Sequence, residues 1–277
     1  MIGQKELFEH MCSLIENGNF PRTSILIGDE GSGKKTLCNE LCKNFKITPA
    51  YVGTKVDEIR EMIKNAYVCV GKTLYIIPDA DKMSGNASNA LLKVLEEPPN
   101  NAYFILLYND MFSVLKTIMS RSTVFMMHTY SREELAEYLD NNFNPFVDKR
   151  YKDLVLDFCD TPGEINIVLK NNEIRDFYDY TKKVVEHIAT VQSANSFKIA
   201  EKVALKEDDD GYNLKMFWKL FIFICLDIIK SETKGILKYA HGISITSKYL
   251  QDLRLRGVNK QTLMDMWILD IRKAWMK

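Results

Sequence analysis

The sequence predicts an α/β domain with a parallel sheet, followed by two helical domains. Short apolar strands alternate with amphipathic helices over about the first 130 residues, which is typical of a parallel sheet covered on both faces. A glycine-rich segment at 28–34 lies between one such strand and the next helix. After Ser131 no segment has a convincing strand pattern. We therefore expect domains at 1–128, 129–172 and 173–277.

Each element of the first domain has its own signal. Apolar residues at helical spacing predict helices, and short apolar runs predict strands. The predicted order is a helix at 4–18, a strand at 24–27, helices at 35–44 and 55–66, a strand at 73–77, a helix at 87–97, a strand at 103–108, a helix near 111–119 and a strand at 123–127. Pro98 and Pro99 end the helix at 87–97.

Helices dominate the rest of the chain. Ser131 and Glu134 have the spacing of a capping box and predict the start of a helix that runs to about residue 141. Further helices are expected near 148–159, at 163–171, and in a block from 173 to the end that is interrupted at 206–211. The helix around 214–230 is apolar on nearly every side, so it is expected to be buried in its own domain or against another chain.

Composition limits the classes of function. Lys plus Arg equals Asp plus Glu, at 37 each, so no overall field attracts a polyanion, and any DNA contact would be shared within a larger assembly. The six cysteines are scattered without a CxxC pair, which argues against a zinc site or a disulfide framework. The first residues, MIGQKELFEH, are too charged for a signal peptide, and the most apolar run, 217–229, is shorter than the roughly 20 residues that span a bilayer. We expect a cytoplasmic protein without a membrane partner.

The segment at 28–34 has the glycines and the lysine of a phosphate-binding loop. Gly28, Gly31 and Gly33 let backbone N–H groups surround a phosphate, the following helix adds partial positive charge, and Lys34 reaches the terminal phosphates. The alternative is a glycine turn without a function. The context of a preceding strand and a following helix favours the phosphate loop.

The usual magnesium ligands are missing from two segments. Mg²⁺ takes oxygen ligands, but Lys35 stands where the loop normally provides a hydroxyl, and Thr36 lies about 100° further round the helix. After the strand at 73–77, Pro78 and Asp79 stand where an aspartate and a glutamate are expected. If this alignment is shifted by one residue, Asp79 and Ala80 stand at the two positions instead. In each alignment one of the two expected carboxylate residues is therefore missing. We expect no metal site and, at most, weak or vestigial binding of ATP or ADP through the glycines, Lys34 and Thr36, so no cofactor is required. An unusual but working site is the alternative.

Two longer segments carry a family resemblance. DADKMSGNASNALLKVLEEPPNNAYFILLYND at 79–110 and VLKTIMSRS at 114–122 resemble the AAA+ subunits of DNA clamp loaders. Among these subunits the segments look most like the delta-prime subunits of bacterial DNA polymerase III. IGQ at 2–4 also resembles the N-terminal box of the family. The resemblance implies a AAA+ ATPase-like domain, then a helical lid and a helical collar.

The resemblance also implies a division of roles. The family contains motor subunits that hydrolyse ATP and a stator-like subunit that does not. The changes at Lys35 and Pro78 favour the stator, as does Asn166, which aligns with an arginine of the motor lid. In this family the arginine matching Arg121 reaches the γ-phosphate in a neighbouring subunit, and Ser122 replaces the usual cysteine after it.

The partners implied by the resemblance are those of a clamp-loader assembly. They are motor subunits and a delta-type subunit in a pentameric ring, the sliding clamp, and primer–template DNA reached through the assembly. A motor subunit of the same family is the alternative function. A phosphoryl-transfer kinase is a third possibility, but LEEPP at 95–99 and SRS at 120–122 have no role in a kinase.

Overall fold

The chain divides into two compact units, Met1–Asn166 and Ile167–Lys277. The computed structural model describes residues 3–143, 149–170, 173–188, 212–231, 235–253 and 258–276. The predicted helix interruption at 206–211 lies outside the described residues. The predicted boundaries near residues 128 and 172 stay predictions.

The first unit is built on a five-stranded parallel sheet. Its strands are β1 (Thr23–Ile27), β2 (Thr48–Tyr51), β3 (Thr73–Ile77), β4 (Ala102–Tyr108) and β5 (Thr123–Met126). Their order across the sheet is β2-β3-β4-β1-β5, and every neighbouring pair is parallel. The predicted α/β class with a parallel sheet is confirmed.

Helices cover both faces of this sheet. They are α1 (Lys5–Glu16), α2 (Lys34–Phe45), α3 (Val56–Val68), α4 (Gly85–Glu96) and the short α5 (Lys116–Met119). Successive strand residues point to opposite faces. Ile25 and Phe104 pack on the α3 and α4 side, whereas Leu26 and Ile105 pack on the α1 and α2 side. Burial on both faces explains why the central strands are continuous apolar runs.

Two elements differ from the prediction. Strand β2 was not expected, because TPAY is mostly exposed and contains Pro49, so it has neither an apolar run nor clear alternation. Pro49 is tolerated because β2 is an edge strand. The single helix expected near 111–119 is wrong: a 3₁₀ turn at Met111–Ser113 is followed by extended residues and then by α5. The side chain of Asp110 accepts a hydrogen bond from the N–H of Phe112 and caps this turn.

The remaining described elements are helices. They are α6 (Arg132–Phe143), α7 (Lys149–Phe158), α8 (Pro162–Lys170), α9 (Glu173–His187), α10 (Tyr212–Ser231), α11 (Ile236–Asp252) and α12 (Lys260–Trp275). The predicted capping box before α6 is present. The N–H of Ser131 donates to Glu134 Oε2 at 2.8 Å, and the N–H of Glu134 donates to Ser131 Oγ at 3.2 Å.

An aromatic core holds the second unit together. Trp267 of α12 meets Phe217, Trp218 and Phe221 of α10, with ring centroids 4.9–6.2 Å apart. The apolar helix expected around 214–230 is therefore buried on this side by its own unit, while Leu226 remains 43% exposed. Within the described residues, no helix is both long and apolar enough to span a bilayer.

Candidate functional site

The glycine loop joins the carboxyl end of β1 to the start of α2. Gly31 and Gly33 have φ of 78° and 91°, a left-handed conformation that glycine adopts without a Cβ penalty. Gly28 is required for a different reason, because a Cβ there would lie 2.9 Å from the Cβ of Met127. The three predicted glycines thus shape a turn whose backbone runs into the N-terminus of α2, the arrangement that suits an anion.

The ammonium group of Lys34 is folded back onto the loop. Its Nζ donates to the carbonyls of Gly28 and Asp29 at 2.5 and 2.8 Å, and to Asn109 Oδ1 at 2.9 Å. Burial lowers the pKa of Lys34 to about 8, and nearby carboxylates, led by that of Asp81, oppose the change. A phosphate that enters the loop would therefore have to compete with internal acceptors for this ammonium group.

Asn109 and Asp81 join Lys34 in one hydrogen-bonded array, which the sequence pattern did not predict. Asn109 follows the last residue of β4, next to β1, and its Nδ2 donates to Asp81 Oδ2 at 3.2 Å. Asp81 lies in a 3₁₀ turn at Ala80–Lys82, one residue beyond positions 78–80, where the metal ligands are expected. The available signal was a polar residue directly after a fully apolar strand, because ligands bind at the carboxyl ends of parallel strands.

The other predicted positions lie away from this array. Lys35 and Thr36 are exposed on the first turn of α2. Asp79 Oδ1 lies 3.9 Å from Lys82 Nζ, and Pro78 occupies the first position after β3. The carboxylate hydrogen-bonded within the Lys34 array is that of Asp81, and the charge of Asp79 also acts on Lys34.

The start of α8 packs directly on the loop. The N–H of Gly163 donates to the carbonyl of Gly31 at 3.0 Å. A Cβ on Gly163 would lie 2.4 Å from Gly31 Cα. Thr161 caps α8, because its Oγ1 accepts from the N–H of Glu164 at 3.2 Å, and Glu164 Oε2 accepts in return from the N–H of Asp160 at 2.8 Å. The conformation of the loop is therefore coupled to the position of this helix end.

Residues after β5 complete the surroundings of the loop. The hydroxyl of Tyr130 donates to the carbonyl of Ser32 at 2.6 Å. Gln4, in the predicted N-terminal box, is fully buried and exchanges two hydrogen bonds with the backbone of His128, at 2.9 and 3.2 Å. A cavity of about 160 Å³ lies beside the loop, and its lining includes Gly28 and Thr161. A ligand in this cavity would contact both the loop and the residues before α8.

Asn166, the position aligned with the lid arginine, is engaged elsewhere. Its Oδ1 accepts from the hydroxyl of Tyr138 at 3.1 Å, and its Nδ2 lies 2.9 Å from the same oxygen. The Asn166 amide is thus paired with a side chain of α6.

Arg121 lies at the other end of the sheet. In the parallel pairing of β1 with β5, Ser24 lies beside Thr123 and Ile27 beside Met126, so Arg121 precedes the amino end of β5. The glycine loop follows the carboxyl end of β1. At about 3.3 Å per residue, the four steps from Ser24, beside Thr123, to Gly28 span roughly 13 Å, and Arg121 lies two residues further out in the turn before β5. The structure does not bring the predicted arginine together with the predicted loop.

Arg121 is held by the end of α4. Its Nε and Nη2 approach Glu96 Oε1 at 2.6 and 2.5 Å. Its Nη1 donates to the carbonyl of Thr117 at 2.9 Å and to Ser120 Oγ at 3.2 Å. Glu96 is the first glutamate of LEEPP, so the two motifs that carried the resemblance are in direct contact.

Cysteines and acidic residues form no metal centre in the part of the chain that is described, since no group of three or more His, Cys, Asp or Glu is suitably placed. Cys38 and Cys42, one helical turn apart in α2, are buried in the core behind the loop. Burial raises the pKa of both thiols, that of Cys42 to about 11. They act as core packing residues.

Several of the known proteins that are similar to this chain are subunits of DNA polymerase III. A family described as "DNA polymerase III, delta subunit" matches residues 46–131. DNA polymerase III subunit gamma of Buchnera aphidicola (Schizaphis graminum) is 31% identical over 170 residues, which is 50% of this chain and 47% of that protein. Subunit gamma/tau of Mycoplasma genitalium is 22% identical, with 93% of this chain and 44% of that protein covered. The chain thus spans about half the length of the curated relatives it matches.

A solved structure supports the same fold. A gamma subunit-related protein of Thermotoga maritima superposes with a TM-score of 0.50 at 15% identity, covering 97% of this chain and 99% of that one. At an identity of 15%, this match supports a similar fold and nothing more. The family match to residues 46–131 and the curated relatives show that this part of the chain is similar to clamp-loader subunits of DNA polymerase III.

Proposed function

We propose that this chain is a delta-prime-like stator of a DNA polymerase III clamp loader. In this role it hydrolyses no ATP itself and provides Arg121 to the ATP site of a neighbouring subunit. The observation that carries the proposal is the placement of Arg121 beyond the amino end of β5, more than about 13 Å from the chain's own glycine loop. An arginine side chain cannot span that distance, so an action of Arg121 on a nucleotide requires a second chain.

The chemistry of the metal shell supports the absence of turnover. Phosphoryl transfer of this type depends on a magnesium ion held by a hydroxyl after the loop lysine and by a carboxylate after the neighbouring strand. Lys35 places a cation at the first position and Pro78 removes the carboxylate at the second. The glycines, Lys34 and Thr36 remain, so weak ATP or ADP binding without hydrolysis belongs to the proposal.

The wider assembly is part of the same proposal. The partners are ATP-hydrolysing subunits and a delta-type subunit in a pentameric ring, together with the sliding clamp. The helical second unit would supply the collar. Primer–template DNA would be reached through the assembly in the cytoplasm, because the balanced charge of 37 cationic and 37 acidic residues favours no strong DNA contact by this chain alone.

A motor subunit is the second candidate. The observation in its favour is the array of Lys34, Asn109 and Asp81, which brings a cation, an amide and a carboxylate to the carboxyl end of the sheet. The named relatives are gamma and gamma/tau subunits, which also leaves this role open. In this reading Asp81 would replace the carboxylate missing at Pro78.

Hydrolysis by the purified chain separates the two candidates. The stator predicts no turnover of Mg–ATP above background. The motor predicts saturable turnover that Lys34→Ala abolishes and Asp81→Asn strongly reduces. Lys43→Ala, which removes an exposed lysine from the last turn of the same helix, is the matched control.

The role of Arg121 is tested in a complex reconstituted with gamma-type subunits. We expect Arg121→Ala to lower turnover at the site it serves by at least about 10³-fold, the lower end of the range for an arginine provided in trans. Arg60→Ala, at another exposed arginine, should leave turnover unchanged. An unchanged rate with Arg121→Ala in a fully assembled complex would overturn the proposal.

A further inference from the structure

Arg121 is occupied within its own chain before any neighbour is present. A guanidinium has five N–H donors arranged as a rigid fork. The Nε and Nη2 edge faces Glu96 Oε1, while both donors of Nη1 are used by Thr117 and Ser120. Four of the five donors therefore have acceptors.

This pattern matters for binding a phosphate. Arginine binds phosphate best with two parallel N–H groups on one edge. One edge faces Glu96, and the other edge includes Nη1, whose donors are both used. A two-donor contact with a phosphate therefore requires Arg121 to give up an internal acceptor first.

We propose that Glu96 is a positioning residue for Arg121, whose carboxylate takes the guanidinium edge that a γ-phosphate of the neighbouring subunit would occupy. Arg121 then engages the neighbour by exchanging one anion for another. The inference rests on the proposed function, because it assumes that Arg121 acts in trans. It adds a residue, Glu96, to which the resemblance assigns no role.

The exposure of the pair makes such an exchange feasible. The side chains of Arg121 and Glu96 are 33% and 48% exposed. Ion pairs at this exposure are weak because water screens them, so little is lost when the carboxylate is replaced. A γ-phosphate, with more negative charge, competes well for the same donors. Without such an anion, Glu96 keeps the long arginine side chain in one place.

The test measures the affinity of this chain for a gamma-type subunit loaded with ATPγS or with ADP. Glu96→Gln removes the charge and keeps the size of the side chain. We expect it to raise the affinity in the ATPγS state about two- to fivefold, in line with the worth of an exposed pair, and to leave the ADP state unchanged. Glu97→Gln, the same change at the adjacent exposed glutamate, should change neither state.

A second measurement uses the free chain alone. Hydrogen exchange of the Arg121 Nε–H, followed by nuclear magnetic resonance, should be slow in the wild type and at least severalfold faster in Glu96→Gln. Equal rates would show that the pair does not form in solution and would overturn the inference.

The possible affinity results are distinguishable. A gain confined to the ATPγS state supports the exchange. Equal changes in both nucleotide states would mean that Glu96 acts on docking in general, which overturns the inference. If Arg121→Ala abolishes the preference for ATPγS but Glu96→Gln does not raise the affinity, the inference fails and the proposed function stands. If Arg121→Ala leaves the preference for ATPγS intact, the proposed function itself fails.

Discussion

Lys34 and Arg121 stand at opposite ends of the same parallel sheet, and their surroundings differ. Lys34 is folded into the glycine loop, where three internal acceptors surround its ammonium group and burial lowers its pKa to about 8. Arg121 lies on the surface and pairs with Glu96, which is itself half exposed. One cation is part of a packed interior, and the other is accessible to a second chain.

The difference indicates which end is adapted to which task. Around the loop, Gly163 and Tyr130 tie the backbone to the rest of the unit, so any change there disturbs packing. Around Arg121, the contacts are made on an exposed surface and can be broken at low cost. We therefore expect substitutions at the carboxyl end to change stability, and substitutions at the amino end to change function in a complex.

The largest expected effect on stability is the pH dependence caused by Lys34. Below its folded-state pKa of about 8, both the folded and the unfolded states are protonated and the stability is constant. Between about 8 and the ordinary value of 10.5, the unfolded state binds more protons, so the free energy of unfolding rises with pH. We expect a gain of at most about 3 kcal/mol across this range, and no further gain above it.

The measurement is the free energy of unfolding of the wild type minus that of Lys34→Met at each pH. Taking this difference removes the contributions of other titrating groups. The difference should shift in favour of the wild type as the pH rises from 7 to 10.5. Lys35→Met, at the exposed neighbouring position, controls for the loss of one positive charge. If the difference in the free energy of unfolding does not vary with pH, Lys34 is solvated. Lys34 and Arg121 would then not differ in burial.

The second effect comes from the contact between the loop and α8. In Gly163→Ala the new Cβ would lie 2.4 Å from Gly31 Cα and 2.9 Å from the Gly31 carbonyl oxygen, so backbone must move. We expect the free energy of unfolding of the first unit to fall by about 1–3 kcal/mol. Gly85→Ala is the matched control, because its Cβ meets nothing within 4 Å and should stabilise α4 by about 0.5–1 kcal/mol.

The loss of stability in Gly163→Ala is detected only by a spectroscopic probe that lies in the first unit. All three tryptophans, Trp218, Trp267 and Trp275, belong to the second unit, so their fluorescence does not report on the loop. Hydrogen exchange of the amides in α2 and at the start of α8 reports on the first unit directly. Unchanged protection in Gly163→Ala would show that the loop and α8 are loosely packed.

The sequence predicted those parts of the fold that depend on local pattern. Strand β3 was predicted at 73–77, where the structure has it, and the capping box at Ser131 formed as expected. Strand β2 could not be predicted, because an exposed edge strand is defined by its pairing with β3 and not by burial of its own side chains. The two pieces at 111–119 were joined in the prediction because a capped turn and a helix share the same apolar spacing.

The residues around the glycine loop and Arg121 also show that contacts between distant segments cannot be predicted from local sequence pattern. The glycines and Lys34 follow each other in the chain, so their spacing identified them. Asn109 meets Lys34 only because β4 lies beside β1 in the sheet. Glu96 and Arg121 were both in recognised motifs, yet they are 25 residues apart, and their contact depends on where α4 and α5 end. Side-chain pairs of this kind follow from topology and not from spacing.

The smallest expected effect is that of Arg121→Ala on the stability of the chain itself. Its partners Glu96, Thr117 and Ser120 are all exposed, so water replaces the lost hydrogen bonds. We expect the free energy of unfolding to change by less than about 1 kcal/mol, as for exposed ion pairs in general. Arg60→Ala, which removes an exposed contact with Asp57 at 3.6 Å, should give a change of similar size.

Urea unfolding followed by circular dichroism measures this difference. A loss above about 2 kcal/mol would place Arg121 among the structural residues, since an exposed pair does not account for that much. Its effect on turnover in the complex would then have a conformational explanation. A small loss, combined with a large effect on a neighbour's turnover, is the result that only a group presented to another chain would give.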